Sequence, residues 1–199
     1  PEGHVPRPDK LGGTAWENAK KKVRKEVEAI AEELVSLYAA REVMERNPFH
    51  PLDKYYEEFA SAFEYEETPD QARAIEEING DMDQAKPMDR LVCGDAGFGK
   101  TEVAVRAAFR AAMEGRQVAV LVPTTILAEQ HFQTFSHRLE DHPVRAEVIK
   151  RFRSRAEQKK ILEDLKEGKV DILIGTHRLL QKDIEFRNLG LVIIDEEQK

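Results

Sequence analysis

One cysteine, Cys93, stands in 199 residues. No disulfide can form within the chain, and a reducing cytoplasm is the expected setting. Long apolar runs are also missing. The longest, Val118–Val122, is five residues, far short of the roughly 20 that a membrane helix needs, so no membrane partner is expected. The start, PEGHVPRPDK, has no apolar stretch behind a basic one and does not read as a secretory signal. Basic charge is not in excess: 31 Lys and Arg against 38 Asp and Glu leave a net charge of −7. A protein that wraps nucleic acid with its whole surface is therefore excluded, although a local basic track is not. Aromatic residues are only 7%, but 41% hydrophobic content is enough for a core and too much for a disordered chain.

Glycine and proline are absent from Ala15 to Arg46. Val23, Val27, Ile30, Ala31, Leu34, Leu37 and Tyr38 recur there at helical spacing, which predicts a helix of about 30 residues. Residues 1–13, rich in Pro and Gly, read as a linker, and 14–62 as a helical lead segment that includes a short aromatic helix. Thr68-Pro69 predicts a cap and first turn for a further helix to about Met82. From residue 63 onward, and clearly from Asp89, the pattern becomes α/β. Strands are expected at Leu91–Cys93, Val118–Val122, Ala146–Ile149, Val170–Ile174 and Leu191–Asp195, with helices between them. The strands are nearly continuous in apolar residues, as in a parallel sheet covered on both faces.

Gly94-Asp95-Ala96-Gly97-Phe98-Gly99-Lys100-Thr101 fits the phosphate-loop pattern G-x-x-x-x-G-K-[ST] in full. Glycines let backbone N–H groups converge on a phosphate, and the following helix adds its positive end. Lys100 can reach the β and γ phosphates of ATP, and the Thr101 hydroxyl can ligate Mg²⁺. A chance match in a chain this long has odds of roughly 1% on average residue usage. Some 95 residues on, Leu191-Val192-Ile193-Ile194 delivers Asp195 and Glu196 to the end of a buried strand. Asp195 is the candidate Mg²⁺ ligand and Glu196 the candidate polariser of the attacking water. Lys100, Asp195 and Glu196 are thus the catalytic candidates.

Weaker candidates surround these. Phe63 or Tyr65 could stack on adenine and Gln71 could read its edge; core aromatics and a surface glutamine are the alternative. Thr124, Thr125, Thr176, His177 and Arg178 follow strands and could grip a nucleic-acid backbone, or be simple turns and caps. Arg151 and Arg153 belong to a basic cluster that could track phosphates or be a solvated charge run. His131, His137 and His142 lack metal-ligand spacing and read as structural.

Together, Gly94–Thr101, Pro123-Thr124-Thr125, Gly175-Thr176-His177-Arg178 and Asp195-Glu196-Glu197-Gln198 resemble motifs I, Ia, Ib and II of superfamily 2 helicases and translocases. The stretches MDRLVCGDAGFGKTEVAVRAAF, VLVPTTILAEQHFQTF, RFRS and GTHRLLQKDIEFRNLGLVIIDEEQ resemble more specifically the bacterial transcription-repair coupling factor family, and LGGTAW does so too. The resemblance implies a RecA-like P-loop lobe over 63–199, incomplete at its C-terminus. It implies an ATP-driven double-stranded DNA translocase that displaces stalled RNA polymerase and brings in excision-repair proteins through modules outside this chain. By the same resemblance Gln71 matches the adenine-reading glutamine, Phe63 or Tyr65 the stacking aromatic, and Thr124, Thr125, Thr176, His177 and Arg178 the DNA-facing motifs. No second lobe with its arginine finger is in the chain, so a fragment with slow or absent hydrolysis is expected. A RecG-like helicase acting on branched DNA, or a nucleotide-binding interaction module without motor action, are the alternatives.

Overall fold

The computed structural model describes residues 14–95, 97–150 and 154–196. Two compact units divide the chain, Pro1–Arg46 and Asn47–Lys199. The short aromatic helix expected to belong to the lead segment thus falls in the second unit. In the first unit a single helix, α1 (Thr14–Val43), occupies the Gly- and Pro-free stretch. Side-chain pairs one turn apart, Lys20 with Glu17, Lys22 with Glu26 and Arg24 with Glu28, support it, each contributing about 0.2–0.5 kcal/mol.

The second unit is α/β. Its elements are α2 (Lys54–Ser61), α3 (Pro69–Met82), α4 (Lys100–Met113), β1 (Gln117–Leu121), α5 (Thr125–Leu139), β2 (Ala146–Ile149), α6 (Arg155–Lys166), β3 (Ile172–Gly175) and β4 (Leu189–Ile194), with a 3-10 turn at His177–Leu180. The sheet order is β2-β3-β1-β4, and every pairing is parallel. Short polar side chains start the helices. Asp53 accepts from the Tyr56 N–H at 3.0 Å, Thr68 and Gln71 form a capping box ahead of Pro69, Thr124 caps α5, and Ser154 with Glu157 caps α6. Each such cap is worth about 1 kcal/mol.

One expected strand does not form. Leu91–Cys93 pairs with none of the four described strands. Both flanks of β1 are taken, by β3 and β4, and both flanks of β3, by β2 and β1. The open edges of β2 and β4 remain, and the triplet joins neither. Only Val92 turns inward to the core, while Leu91 is 73% exposed. Three apolar residues signal a buried strand only when a ladder receives them, and here only one is covered.

α4 is the central helix. Its buried positions run round the whole circumference, from Val103 and Val105 through Ala107, Ala108 and Phe109 to Ala111 and Ala112. Phe109 stacks on Phe59 of α2 with 3.9 Å between ring centroids. Three charged residues are buried in the same helix, and each is partnered. Glu102 is 7% exposed. It accepts from Arg106 Nε at 2.9 Å and from Arg138 on α5 at 2.9 and 3.1 Å. Arg106 also meets Glu67 at 2.7 Å. Arg110 donates to the Asn79 and His50 carbonyls at 2.9 and 2.7 Å, and pairs with Asp83. At the opposite end of the sheet, buried Gln117 donates to the Leu165 and Val170 carbonyls at 2.8 Å and accepts from the Arg187 and Asn188 N–H groups.

Removing one partner from a buried ionic group leaves the others uncompensated, a loss of about 3–5 kcal/mol. Glu102→Ala is therefore expected to lower unfolding free energy by that amount in urea titration, with the slope of the transition preserved. A loss below about 1 kcal/mol, the level of an exposed pair, would contradict the buried-network account.

Candidate nucleotide site and nucleic-acid face

The phosphate loop lies between the irregular segment at Leu91–Cys93 and the first turn of α4. Two of its glycines are left-handed, Gly97 with φ 85° and Gly99 with φ 69°, a region that other L-residues enter at a cost of roughly 1–2 kcal/mol. Gly99 is the N-cap of α4 and offers no side-chain cap; the Glu102 N–H donates to the Gly99 carbonyl at 3.0 Å, and the two N–H groups ahead of it, of Lys100 and Thr101, are the ones a helix start offers to an anion. The Lys100 ammonium donates to the carbonyls of Gly94 at 2.5 Å and Asp95 at 2.9 Å. The side chain is folded over the loop that it would share with a phosphate. Ala96 lies outside the described residues.

Gln71 is held at both ends. Its Oε1 accepts from the Thr68 N–H at 2.8 Å, completing the cap of α3, and its Nε2 donates to the Phe98 carbonyl at 2.9 Å. The amide is therefore a brace between α3 and the phosphate loop. A Cβ on residue 99 would overlap that amide, a second reason for glycine there. Phe63 and Tyr65 meet edge to face, 5.5 Å between centroids. Phe63 lies beneath the guanidinium groups of Arg106 and Arg138, whereas Tyr65 is 72% exposed and presents its ring to solvent.

The parallel register sets the rest. Leu121 pairs with Gly175 on one side and Ile194 on the other. The Asp195 N–H then donates to the Leu121 carbonyl at 2.9 Å. Residues following β1, β3 and β4 thus emerge in one row at the C-terminal edge of the sheet, where ligands bind in open α/β folds. That row holds Thr124 and Thr125, then Thr176, His177 and Arg178, then Asp195 and Glu196.

Within the row the commitments differ. The Thr124 hydroxyl accepts from the Leu127 N–H at 3.2 Å, so its oxygen is occupied as a cap, and Thr125 is an exposed first-turn residue. Thr176 precedes the 3-10 turn with no side-chain cap, and His177 is exposed. Arg178 makes a two-pronged ion pair with Asp183, at 2.6 and 2.5 Å. Hydrogen bonding to Arg178 holds the Asp183 carboxyl below its usual range. No spacing signal marks this partner, five residues away around a turn. Arg151 and Arg153 lie outside the described residues, and Lys150 pairs with Glu129 of α5.

Asp195 is gripped on both oxygens. Its Oδ1 accepts from the Glu196 N–H at 3.0 Å, and its Oδ2 lies 2.6 Å from His131 Nε2. Glu196 sits at φ 57°, the one described non-glycine residue with positive φ, a strain of about 1–3 kcal/mol of the kind that concentrates at functional sites. Among the described residues, no three His, Cys, Asp or Glu side chains gather into a metal cage. A carboxylate and a threonine hydroxyl suit a cation that takes most of its ligands from water and phosphate.

Residues 68–199 match the DEAD/DEAH box helicase family, and the chain belongs to it. Over its whole length it is 54% identical, across 198 residues, to the transcription-repair-coupling factor of Bacillus subtilis, and 54% identical over 191 residues to that of Myxococcus xanthus. The chain spans 17% and 16% of those relatives. The solved structure of RecG bound to a three-way DNA junction is 38% identical, with a TM-score of 0.76, covering 82% of this chain and 22% of that one. The α/β fold with its parallel sheet is therefore that of a RecA-like helicase lobe, of a family that uses ATP.

Gly99→Ala combines the left-handed cost with the overlap on Gln71. The variant is expected to bind nucleotide about tenfold more weakly or worse, the equivalent of 1.4 kcal/mol, and to melt at lower temperature. In a Gln71→Ala background the overlap is gone but the backbone cost is not, so recovery toward the level of Gln71→Ala alone should be partial. Full recovery in fluorescence titration and thermal melting would show that the left-handed turn is not required.

Proposed function

We propose that this chain forms the ATP-binding lobe of a double-stranded DNA translocase that displaces stalled RNA polymerase and couples transcription to excision repair. The reading is supported by the left-handed glycine turn that opens α4 and by the acidic pair Asp195-Glu196 at the C-terminal end of β4, joined to 54% identity with transcription-repair-coupling factors along the whole chain. In this reading the backbone N–H groups of Gly94–Thr101 and the Lys100 ammonium hold the phosphates of ATP. Thr101 and Asp195 would hold Mg²⁺, whose charge would help neutralise the phosphates. Glu196 orients and polarises the attacking water. Tyr65 supplies the stacking ring, with Phe63 behind it, and Gln71 reads adenine while bracing the loop.

The nucleic-acid contacts are assigned to Thr124, Thr125, Thr176, His177 and Arg178, with Arg151 and Arg153 as further phosphate contacts. Arg178 must then exchange Asp183 for a phosphate. RNA polymerase and the repair proteins are assigned to parts outside these 199 residues. The single cysteine suits the reducing cytoplasm. A RecG-like helicase acting on branched DNA is the second reading, favoured by the 38% identity and close superposition with RecG. A nucleotide-binding module without motor action is the third, and it makes no use of the acidic pair at Asp195 and Glu196.

ATP hydrolysis by this chain, measured with and without duplex DNA and with Lys100→Ala as blank, tests the reading. We expect Lys100-dependent nucleotide binding with turnover well below about 1 s⁻¹, because arginine fingers typically contribute 10³-fold or more and none is assigned here. Rapid DNA-stimulated turnover by the chain alone would overturn the expectation of an incomplete motor. Preference for a three-way junction over linear duplex would favour the RecG-like reading. Asp183→Asn, which releases Arg178 from its ion pair, should strengthen duplex binding at low salt and steepen its salt dependence by about one unit of slope. An unchanged affinity would remove Arg178 from the DNA face.

A further inference from the structure

His131 has no task in the proposed function, and its spacing from His137 and His142 suggests none. The fold gives it one. It lies on α5, six residues beyond the exposed Thr125, and its ring is 7% exposed. Nε2 meets Asp195 Oδ2 at 2.6 Å. Nδ1 is buried and has no hydrogen-bond partner. The ring stands edge-on to Phe135, 6.2 Å between centroids, and this packing limits its rotation.

These facts settle how the ring must be used. A neutral imidazole carries one proton. On Nδ1 it would be a buried donor with no acceptor, and a lone pair on Nε2 would face a carboxylate oxygen. On Nε2 the proton makes a charge-assisted bond to Asp195. The Glu196 N–H takes the other oxygen. Two donors from two directions fix the rotation of the carboxylate, which is 27% exposed and keeps further lone pairs for a cation. Partners of this kind set the orientation of metal-binding groups.

We propose that His131 is a positioning residue: it orients the Asp195 carboxylate for a nucleotide-bound divalent cation and ties that carboxylate to the helix that begins at Thr125. The proposal rests on the nucleotide-site reading above. It adds a mechanical link, since a shift of α5 driven at its N-terminal threonines would move the hydrogen-bond donor of the acidic motif.

The test uses a fluorescent ATP analogue bound to the 199-residue chain, titrated with Mg²⁺ and repeated in EDTA. His131→Phe keeps the packing against Phe135 and removes the donor. It is expected to bind nucleotide in EDTA as the parent does, yet to need about tenfold more Mg²⁺ for half-maximal enhancement, the lower end of the range for such partners. His131→Gln, whose amide can donate from nearly the same place, should recover most of the response. An unaltered Mg²⁺ response in a folded His131→Phe overturns the proposal while leaving the nucleotide site standing. Equal binding by the parent and Lys100→Ala instead overturns the nucleotide site, and this proposal with it. Should His131→Phe fail to melt cooperatively, ¹⁵N NMR of the parent imidazole decides: a proton on Nε2, with a shift on adding Mg²⁺ to the nucleotide complex, supports the assignment, and a neutral ring protonated on Nδ1 refutes it.

Discussion

Glu102 is the point on which the phosphate loop's geometry depends. It sits in the first turn of α4, two residues beyond Lys100, and a carboxylate so buried survives only because Arg106 and Arg138 share it. Those two guanidinium groups reach further. Arg106 joins Glu67, just ahead of the Thr68 cap, and Arg138 donates to the Phe59 carbonyl at 3.1 Å. One buried charge thus holds α2, the approach to α3, α4 and α5 in a fixed relation. The N-terminus of α4 cannot be placed for a phosphate unless that relation holds. Such a network gives little net stability over an apolar core, and its value lies in the single arrangement it permits.

The sheet supplies the second constraint. Parallel pairing of β3, β1 and β4 fixes the heights at which Thr176, Thr124 and Asp195 leave it, because the register allows no independent sliding. Gly175 shows how closely the elements approach there: an added Cβ would come within 2.7 Å of Ile149 Cγ2 and 3.1 Å of Leu179 Cγ. Buried Gln117 closes the other end of β1 with four hydrogen bonds, to the last turn of α6, the connection into β3 and the connection into β4. The sheet is therefore tied at one end by an amide and used for chemistry at the other.

Local signals in the sequence carried much of this. Thr68-Pro69 marked the start of α3, and the glycine pattern at 94–101 marked the turn into α4, because caps and left-handed turns are decided by a few neighbouring residues. Apolar runs located β1 to β4 for the same reason. Leu91–Cys93 failed because pairing is non-local: the triplet is apolar, but no ladder receives it. The lead segment divided after Arg46 rather than after residue 62, since the aromatic face of α2 is satisfied by Phe109, fifty residues on. The bond between His131 and Asp195 spans 64 residues, and that between Arg138 and Glu102 spans 36. No spacing rule reveals such contacts; only the register and the helix packing do.

Charge distribution decides how this surface can meet DNA. Arg90, Arg106, Arg110, Arg138, Arg145 and Arg178 are each engaged with carboxylates. A chain of net charge −7 with so many guanidinium groups already paired has little long-range attraction for a polyanion. On the proposed reading, the described sheet edge would contribute mainly hydroxyls and backbone N–H groups at Thr124, Thr125, Thr176 and His177. These position a backbone without reading its sequence. That would suit the proposed translocase, which would have to release each phosphate as readily as it grips it. A strongly cationic face would bind DNA tightly whatever nucleotide was present. On the proposed reading, the described part of this face offers mainly neutral donors, with Arg178 held by Asp183, so that affinity would be set by small movements of α5 and the turn after β3. Both movements act on the row that ends at Asp195, so on the proposed reading grip on DNA and geometry at the cation site would be governed by the same sheet edge.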